Sequence, residues 1–323
     1  MIRSFIVAAL LMACGRQEAP GDAGTIALPP ALRAAVTTFD ITPEPGVDLV
    51  GFGTRASTEV RDPLEGAVLV LEREGTRVAL VTLDLPGIAD YQAQLVRAQV
   101  ARAIRGGVEQ VIVAASHTHS APLLGDDAWS AATRDAVERA AGDALGRLEP
   151  VRLTLGEDEI GFDVNRRLAV DGVAEARPNS AGPHDSRVRT LTFSNDSGPI
   201  ARVTHVVCHP NVLLGLESTR ISADFPGEAR VRLRGSSGAP WLVVVGAAGD
   251  VRPMVVDAAG EFRLGDDADL ERLGGELAQA VTRSARGARE VQGALRFARE
   301  VFDAPNANGS VRAIELSAWR IGP

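Results

Sequence analysis

Ser116-His117-Thr118-His119-Ser120 is the stretch whose residue types and spacing could do chemistry. Two imidazoles one residue apart share a face if the backbone stays extended, and converge on one point in a tight turn. Either arrangement suits a metal or an acid/base pair, because imidazole ligates when neutral and titrates near neutrality. So short a motif also describes two hydrogen-bonded structural histidines. Cys208-His209-Pro210-Asn211 and Gly246-Ala247-Ala248-Gly249-Asp250 are two further polar, chemically capable stretches. The chain has five histidines, and four of them (His117, His119, His205 and His209) lie in the first two stretches or the run leading into them. That clustering favours a metal over scattered structural roles. His184, amid Gly182, Pro183 and Asp185, reads as a turn residue, and His205 as a core residue of its run. Cys208 alternates away from His209 and reads as a small buried apolar group.

Each of the three stretches follows a compact apolar run: residues 110–115, 201–207 and 241–245. Such runs read as buried strands, and α/β sheets place ligands just past the carboxyl ends of their strands. If the three were parallel neighbours, their loops would open on one rim. Elsewhere, strands are expected at residues 36–41, 151–164, 188–193, 295–301 and 311–321, with a hairpin of 67–72 and 77–83 across Glu74-Gly75. Apolar residues at helical spacing predict helices over 91–104, ending at Gly106-Gly107, and over 129–145, 223–234 and 267–285. Strands alternating with helices define an α/β protein, and no internal repeat stands out.

The chain has 323 residues, 45% hydrophobic and 24% charged, enough for one large domain or two tightly joined ones. A net charge of −8 argues against the basic face that nucleic-acid binding needs. Nothing fixes an oligomeric state. Arg3 followed by an unbroken apolar run from Phe5 to Ala13 reads as an export signal over residues 1–13, too short to span a bilayer. Leu11-Met12-Ala13-Cys14 resembles the lipobox of bacterial lipoproteins, which implies lipidation at Cys14 and a membrane anchor; otherwise the chain is secreted. Residues 14–30 read as a flexible tether, and 31–323 as the folded body. With Cys14 lipidated, Cys208 has no disulfide partner.

The body resembles the N-terminal hydrolase domain of the neutral/alkaline ceramidases. The resemblance rests on Asp40-Ile41-Thr42-Pro43, Gly51-Phe52-Gly53, Ser116 to Pro122, Asn165-Arg166, His209-Pro210-Asn211, Ser222 to Gly227 and Gly249 to Pro253, in that order. It implies two mixed β-sheets flanked by helices, with the site loops at the carboxyl ends of core strands. It implies one zinc, held by His117 and His209, with His119 as an acid/base group beside the metal-bound water. Arg166 would face an oxyanion or substrate carbonyl, and Asp250 and Asp224 would orient a histidine or a turn. Asp224 also reads more simply as the N-cap of the helix it precedes.

Two positions depart from the family. Its nucleophilic serine corresponds here to Arg252, which makes direct attack by a zinc-bound hydroxide the consistent mechanism. Its zinc site is completed by a glutamate in a Pro-Gly-Glu loop after a late strand, and by a tyrosine. Residues 314–322 resemble that late strand, and the sequence stops at Pro323, as expected of a truncated or diverged member. Tyr91, the one tyrosine, lies far from that region of sequence, and Glu217, Glu228 or Asp250 would have to substitute. The expected function is an exported zinc amidohydrolase acting on a small-molecule or lipid amide. The alternatives are a catalytically inactive surface lipoprotein that binds a partner, and a zinc esterase or peptidase.

Overall fold

The structure, a computed structural model, describes residues 7–8, 31–51, 53–215, 217–305 and 311–322. The export signal (but for residues 7–8), Cys14 and the tether to residue 30 lie outside the described residues. Among the described residues no helix is long and apolar enough to cross a membrane.

The first half runs β1 (Arg33–Asp40), β2 (Glu65–Arg73), β3 (Thr76–Leu83), α1 (Asp90–Ile104), β4 (Val111–Ala115), α2 (Ala128–Gly146) and β5 (Glu149–Pro150). Glu74 and Gly75 both take positive φ, 52° and 77°, the turn that matches strand twist in a two-residue hairpin. Helix α1 crosses over to place β4 parallel to β3. The sheet order is β4-β3-β2-β1-β5, antiparallel apart from that one pair. Helix α1 ends one residue before the expected Gly106-Gly107, on Arg105 at φ 55°, whose N–H bonds back to Ala101 and Arg102.

The second half repeats this order: β6 (Arg152–Glu159), a short β7 (Asp163–Asn165), β8 (Arg187–Asn195), β9 (Gly198–Val206), α3 (Asp224–Ser237), β10 (Trp241–Val245), a short β11 (Val251–Pro253), α4 (Asp267–Ser284) and β12 (Arg289–Glu290). Its sheet is β10-β9-β8-β6-β12, again with one parallel pair, β9 with β10. The chain is therefore a topological duplication that no residue-level repeat announces. A hairpin, β13 (Ala294–Pro305) and β14 (Val311–Gly322), follows.

The two sheets pack face to face, and each carries two helices on its outer face. In β2, Ala67, Leu69 and Leu71 point at the second sheet while Val68 and Val70 point at α1 and α2. In β10, Leu242 faces the first sheet while Trp241 and Val243 face α3 and α4. Strands covered on both sides need apolar residues at every position, which is why these runs are continuous rather than alternating. The expected α/β architecture of two mixed sheets flanked by helices is the one observed. The three site-bearing strands are not all neighbours, however. β9 and β10 pair with each other, while β4 belongs to the other sheet and packs against β10.

Candidate metal centre

The loops that leave β3, β4, β9 and β10 all line one cavity of about 1000 Å³. Its walls include Val50, Ile88, Val113, Leu123, Leu124 and Val245, and His117, His119 and His209 lie together in its lining. One ligand atom from each of these rings lies within 4.8 Å of the other two. The ring centroids are 5.0, 4.5 and 4.7 Å apart. Among the described residues no carboxylate or thiol joins the group.

Each histidine is set by its backbone. The ladder between β3 and β4 continues one step past the strands, with Ser116 N–H donating to Leu83 and His117 N–H to Leu85. His117 then takes a left-handed φ of 66°, which ends the strand and turns its ring into the cavity. Its Nδ1 sits 2.5 Å from the Pro86 carbonyl oxygen. His209 N–H donates to Val251, and its Nδ1 sits 3.1 Å from the Ala248 carbonyl oxygen. A proton held on Nδ1 by a carbonyl leaves Nε2 as the ligating atom, so two of the rings present Nε2 by construction. His119 is placed by its N–H to Pro210 and by the Arg55 guanidinium, which donates to the His119 carbonyl at 2.8 Å. Its Nε2 lies 2.7 Å from that of His209, and its Nδ1 edge lies close against Gly51. Nδ1 of His119 is buried without a well-aligned partner.

Burial, with the charge of Arg166 nearby, drives all three imidazoles toward the neutral form. His119 is held at about 3 and His209 at about 2, chiefly by burial and then by their neighbouring histidines, and His117 is lowered for the same first reason. Three neutral, converging nitrogens with no carboxylate among them form a donor set suited to a borderline-soft divalent ion such as zinc. His119 thus stands beside His117 and His209 as a ligand candidate, in addition to its expected acid/base place. In the metal-free protein one of the two facing Nε2 atoms must carry a proton, so metal and proton compete for that position.

Arg166 is among the residues that line the cavity. It lies at the end of β7, and its Nε and Nη2 both donate to the Gly249 carbonyl, at 3.0 and 2.8 Å. Asp250 does not reach it. Its carboxylate is 64% exposed and accepts from Arg167, and only its carbonyl, bonded to Arg166 N–H, helps build the loop. Glu217 is exposed, and Glu228 pairs with Arg232 along α3, so neither supplies the missing ligand.

Asp224 is not the cap of its own helix; Ala223 holds that position. The Asp224 side chain is fully buried and accepts from Val212 and Leu213, the residues after His209-Pro210-Asn211, and from Phe225. It therefore clamps the His209 loop to the start of α3, and burial pushes its carboxyl up to about 7. Arg252, at the position of the family serine, stacks 4.3 Å from the Phe262 ring and is not in the cavity lining. Tyr91, remote in sequence, lines the cavity from α1. His184 is exposed and His205 half-buried, both outside the cluster, and Cys208 is a buried free thiol. Gly51 and Arg55, which position His119, carried no signal as site residues beyond the Gly51-Phe52-Gly53 motif.

No protein-family model matches the chain, and no curated protein matches it. Among solved structures, the neutral ceramidase from Pseudomonas aeruginosa shares the fold, with a TM-score of 0.70 and 21% identity over 88% of this chain. A ceramidase complexed with C2 aligns with the same TM-score and identity. The chain spans about half the length of these structures, 50% of each.

Proposed function

We propose that this chain is a metal-dependent hydrolase of the ceramidase-like class, with zinc as its metal and an N-acyl amide as its substrate. The observation that carries this reading is the convergence of His117 and His119, both half-buried, with the buried His209 in the lining of a cavity with apolar walls. The fold shared with neutral ceramidase supports the reaction class, and the apolar walls suit an acyl chain.

His117 and His209 would hold the ion through Nε2, with His119 as third ligand or as the acid/base group next to it. A divalent ion so held lowers the pKa of water and polarises a carbonyl. Arg166 supplies guanidinium donors for negative charge carried by the bound substrate. Among the described lining residues there is no serine, and Arg252 has no hydroxyl to offer, which supports water as the attacking group. His119, neutral and next to the metal position, can take a proton from that water and return it to the leaving nitrogen.

The test is zinc content of the purified chain at neutral pH, with fatty-acid release from an N-acyl amide. About one zinc per chain, lost in His117→Ala and His209→Ala together with hydrolysis, is the expected outcome. A folded protein that binds no zinc would remove the metallohydrolase reading and leave the histidines as inherited packing.

A further inference from the structure

The cavity is lined by charge of one sign. Its titratable lining residues are His117, His119, His209, Tyr91, Arg166 and Arg167, with no Asp or Glu among them, in a chain whose net charge is −8. Arg167 is answered by the exposed Asp250 carboxylate. Arg166 makes no ion pair among the described residues. It is half-buried, and the two bonds it donates to Gly249 leave three of its five N–H groups for a ligand. Arg252 lies close enough to feel the Arg166 charge, and it too lacks a carboxylate at ion-pairing distance among the described residues. The Asp250 carboxylate acts on Arg166 only from beyond ion-pairing distance and is already held by Arg167. A guanidinium held against apolar walls with no ion-pair partner of its own is a site for an anion attached to an apolar body.

We propose that the amide preferred by this site carries a carboxylate on its amine side, as in an N-acylated amino acid, rather than a neutral head group. This rests on reading the cavity as an amide-hydrolase site. The acyl chain belongs with Val50, Leu123 and Leu124, where a charge would be costly, and the carboxylate with Arg166, whose planar fork matches its two oxygens. In the reaction, the oxygen of water adds to the amide carbonyl carbon and the C–N bond breaks. The leaving nitrogen takes a proton from that water, and the products are a fatty carboxylate and a free amino acid.

The experiment compares N-dodecanoylglycine with N-dodecanoylglycinamide, which differ only in that charge. Binding to the metal-free chain is measured by titration calorimetry, because zinc would itself attract a carboxylate. The carboxylate is expected to bind about tenfold or more tightly, the scale of a charge-assisted hydrogen bond. The preference should shrink with salt and vanish in Arg166→Gln. Equal binding of the two, or a preference that survives Arg166→Gln, overturns the proposal. Hydrolysis of the same pair by the zinc-loaded chain is read separately. Cleavage of neither, with the binding preference intact, would remove the amide-hydrolase reading while anion recognition by Arg166 stands.

Discussion

Replacing Gly51 by alanine isolates what the Gly51-Phe52-Gly53 segment does for the site. Gly51 sits at φ 143°, and a Cβ built there falls 2.2 Å from His119 Nδ1, 2.6 Å from its Cγ and 2.8 Å from its Cβ. The ring would have to retreat by about 1 Å to reach ordinary contact. It has nowhere to go, because His209 Nε2 lies 2.7 Å from its other edge and the Arg55 and Pro210 bonds fix its backbone. Strain at such a φ costs about 1–3 kcal/mol, against a typical total stability of about 5–15 kcal/mol, so the variant should fold. A displacement of that size at a reacting group costs about a hundredfold in rate. Gly46→Ala is the control: Gly46 has φ 104° and nothing within 4 Å of its added Cβ. Gly51→Ala should lose more melting temperature than Gly46→Ala, by the added cost of the clash, about 1–3 kcal/mol, and only Gly51→Ala should lose amide hydrolysis. Zinc titration of Gly51→Ala then separates the two roles of His119, since affinity falls if the ring is a ligand and persists if it only moves protons. Wild-type hydrolysis in Gly51→Ala, or equal loss in both variants, would refute the placement of His119 at the reacting centre.

Asp224→Ala removes the acceptor of three buried N–H groups and should destabilise the chain by about 3–5 kcal/mol while weakening zinc binding through His209. Asp224→Asn, which tolerates the φ of 57° and keeps one acceptor oxygen, should recover part of both; wild-type melting of Asp224→Ala would contradict the clamp. The pH dependence of metal-free stability follows from burial. With His119 at about 3 and His209 at about 2 in the folded chain against 6.5 unfolded, the unfolded chain binds more protons between roughly pH 3 and 6.5. Stability therefore falls with falling pH, by about 1.4 kcal/mol per unit for each group. Asp224, raised to about 7, holds a proton in the folded chain over much of that window and offsets one of them. The clean measurement is the difference in denaturation slope between wild type and His119→Gln/His209→Gln; identical slopes from pH 7 to 5 would show that these rings are not buried neutral.

The strands and helices that carry the site were legible because their signals are local. The run 241–245 reads as a buried strand from its apolar residues alone, and β10 spans those residues. Glu74-Gly75 gives its hairpin from turn chemistry. The pairing of sheets was not local. Nothing in residues 111–115 says that β4 belongs to a different sheet from β9 and β10, because continuous apolar runs look alike whichever neighbours cover them. The site splits the same way. His117, His119 and His209 were visible as reactive types past strand ends, Arg166 only through the family resemblance, and the structure brings all four to one cavity. Asp250, a carboxylate in the loop past another strand end, was an equally visible candidate, but its side chain is exposed and pairs with Arg167. Asp224 was legible as an acid before a helix, and only the fold shows that its N–H donors come largely from the loop after His209.

The duplication explains why the histidines meet at all. In each half, the parallel pair ends in two loops at the same end of its sheet, and β4 and β10, the terminal strands of their sheets, pack together. Each half fixes one ring through a carbonyl of its own neighbouring loop: Pro86 after β3 holds His117 after β4, and Ala248 after β10 holds His209 after β9. The two rings are thus not equivalent positions of a symmetric pair; each half contributes from the opposite member of its strand pair. His119 closes the gap between them, with its N–H on Pro210 of the other half. The packing of the two sheets, through Leu69, Leu80, Leu191 and Leu242 between them, is therefore what sets the distances between ligand atoms. A metal at this position would join the halves where they meet, and the apolar core behind it supplies the rigidity that the geometry needs.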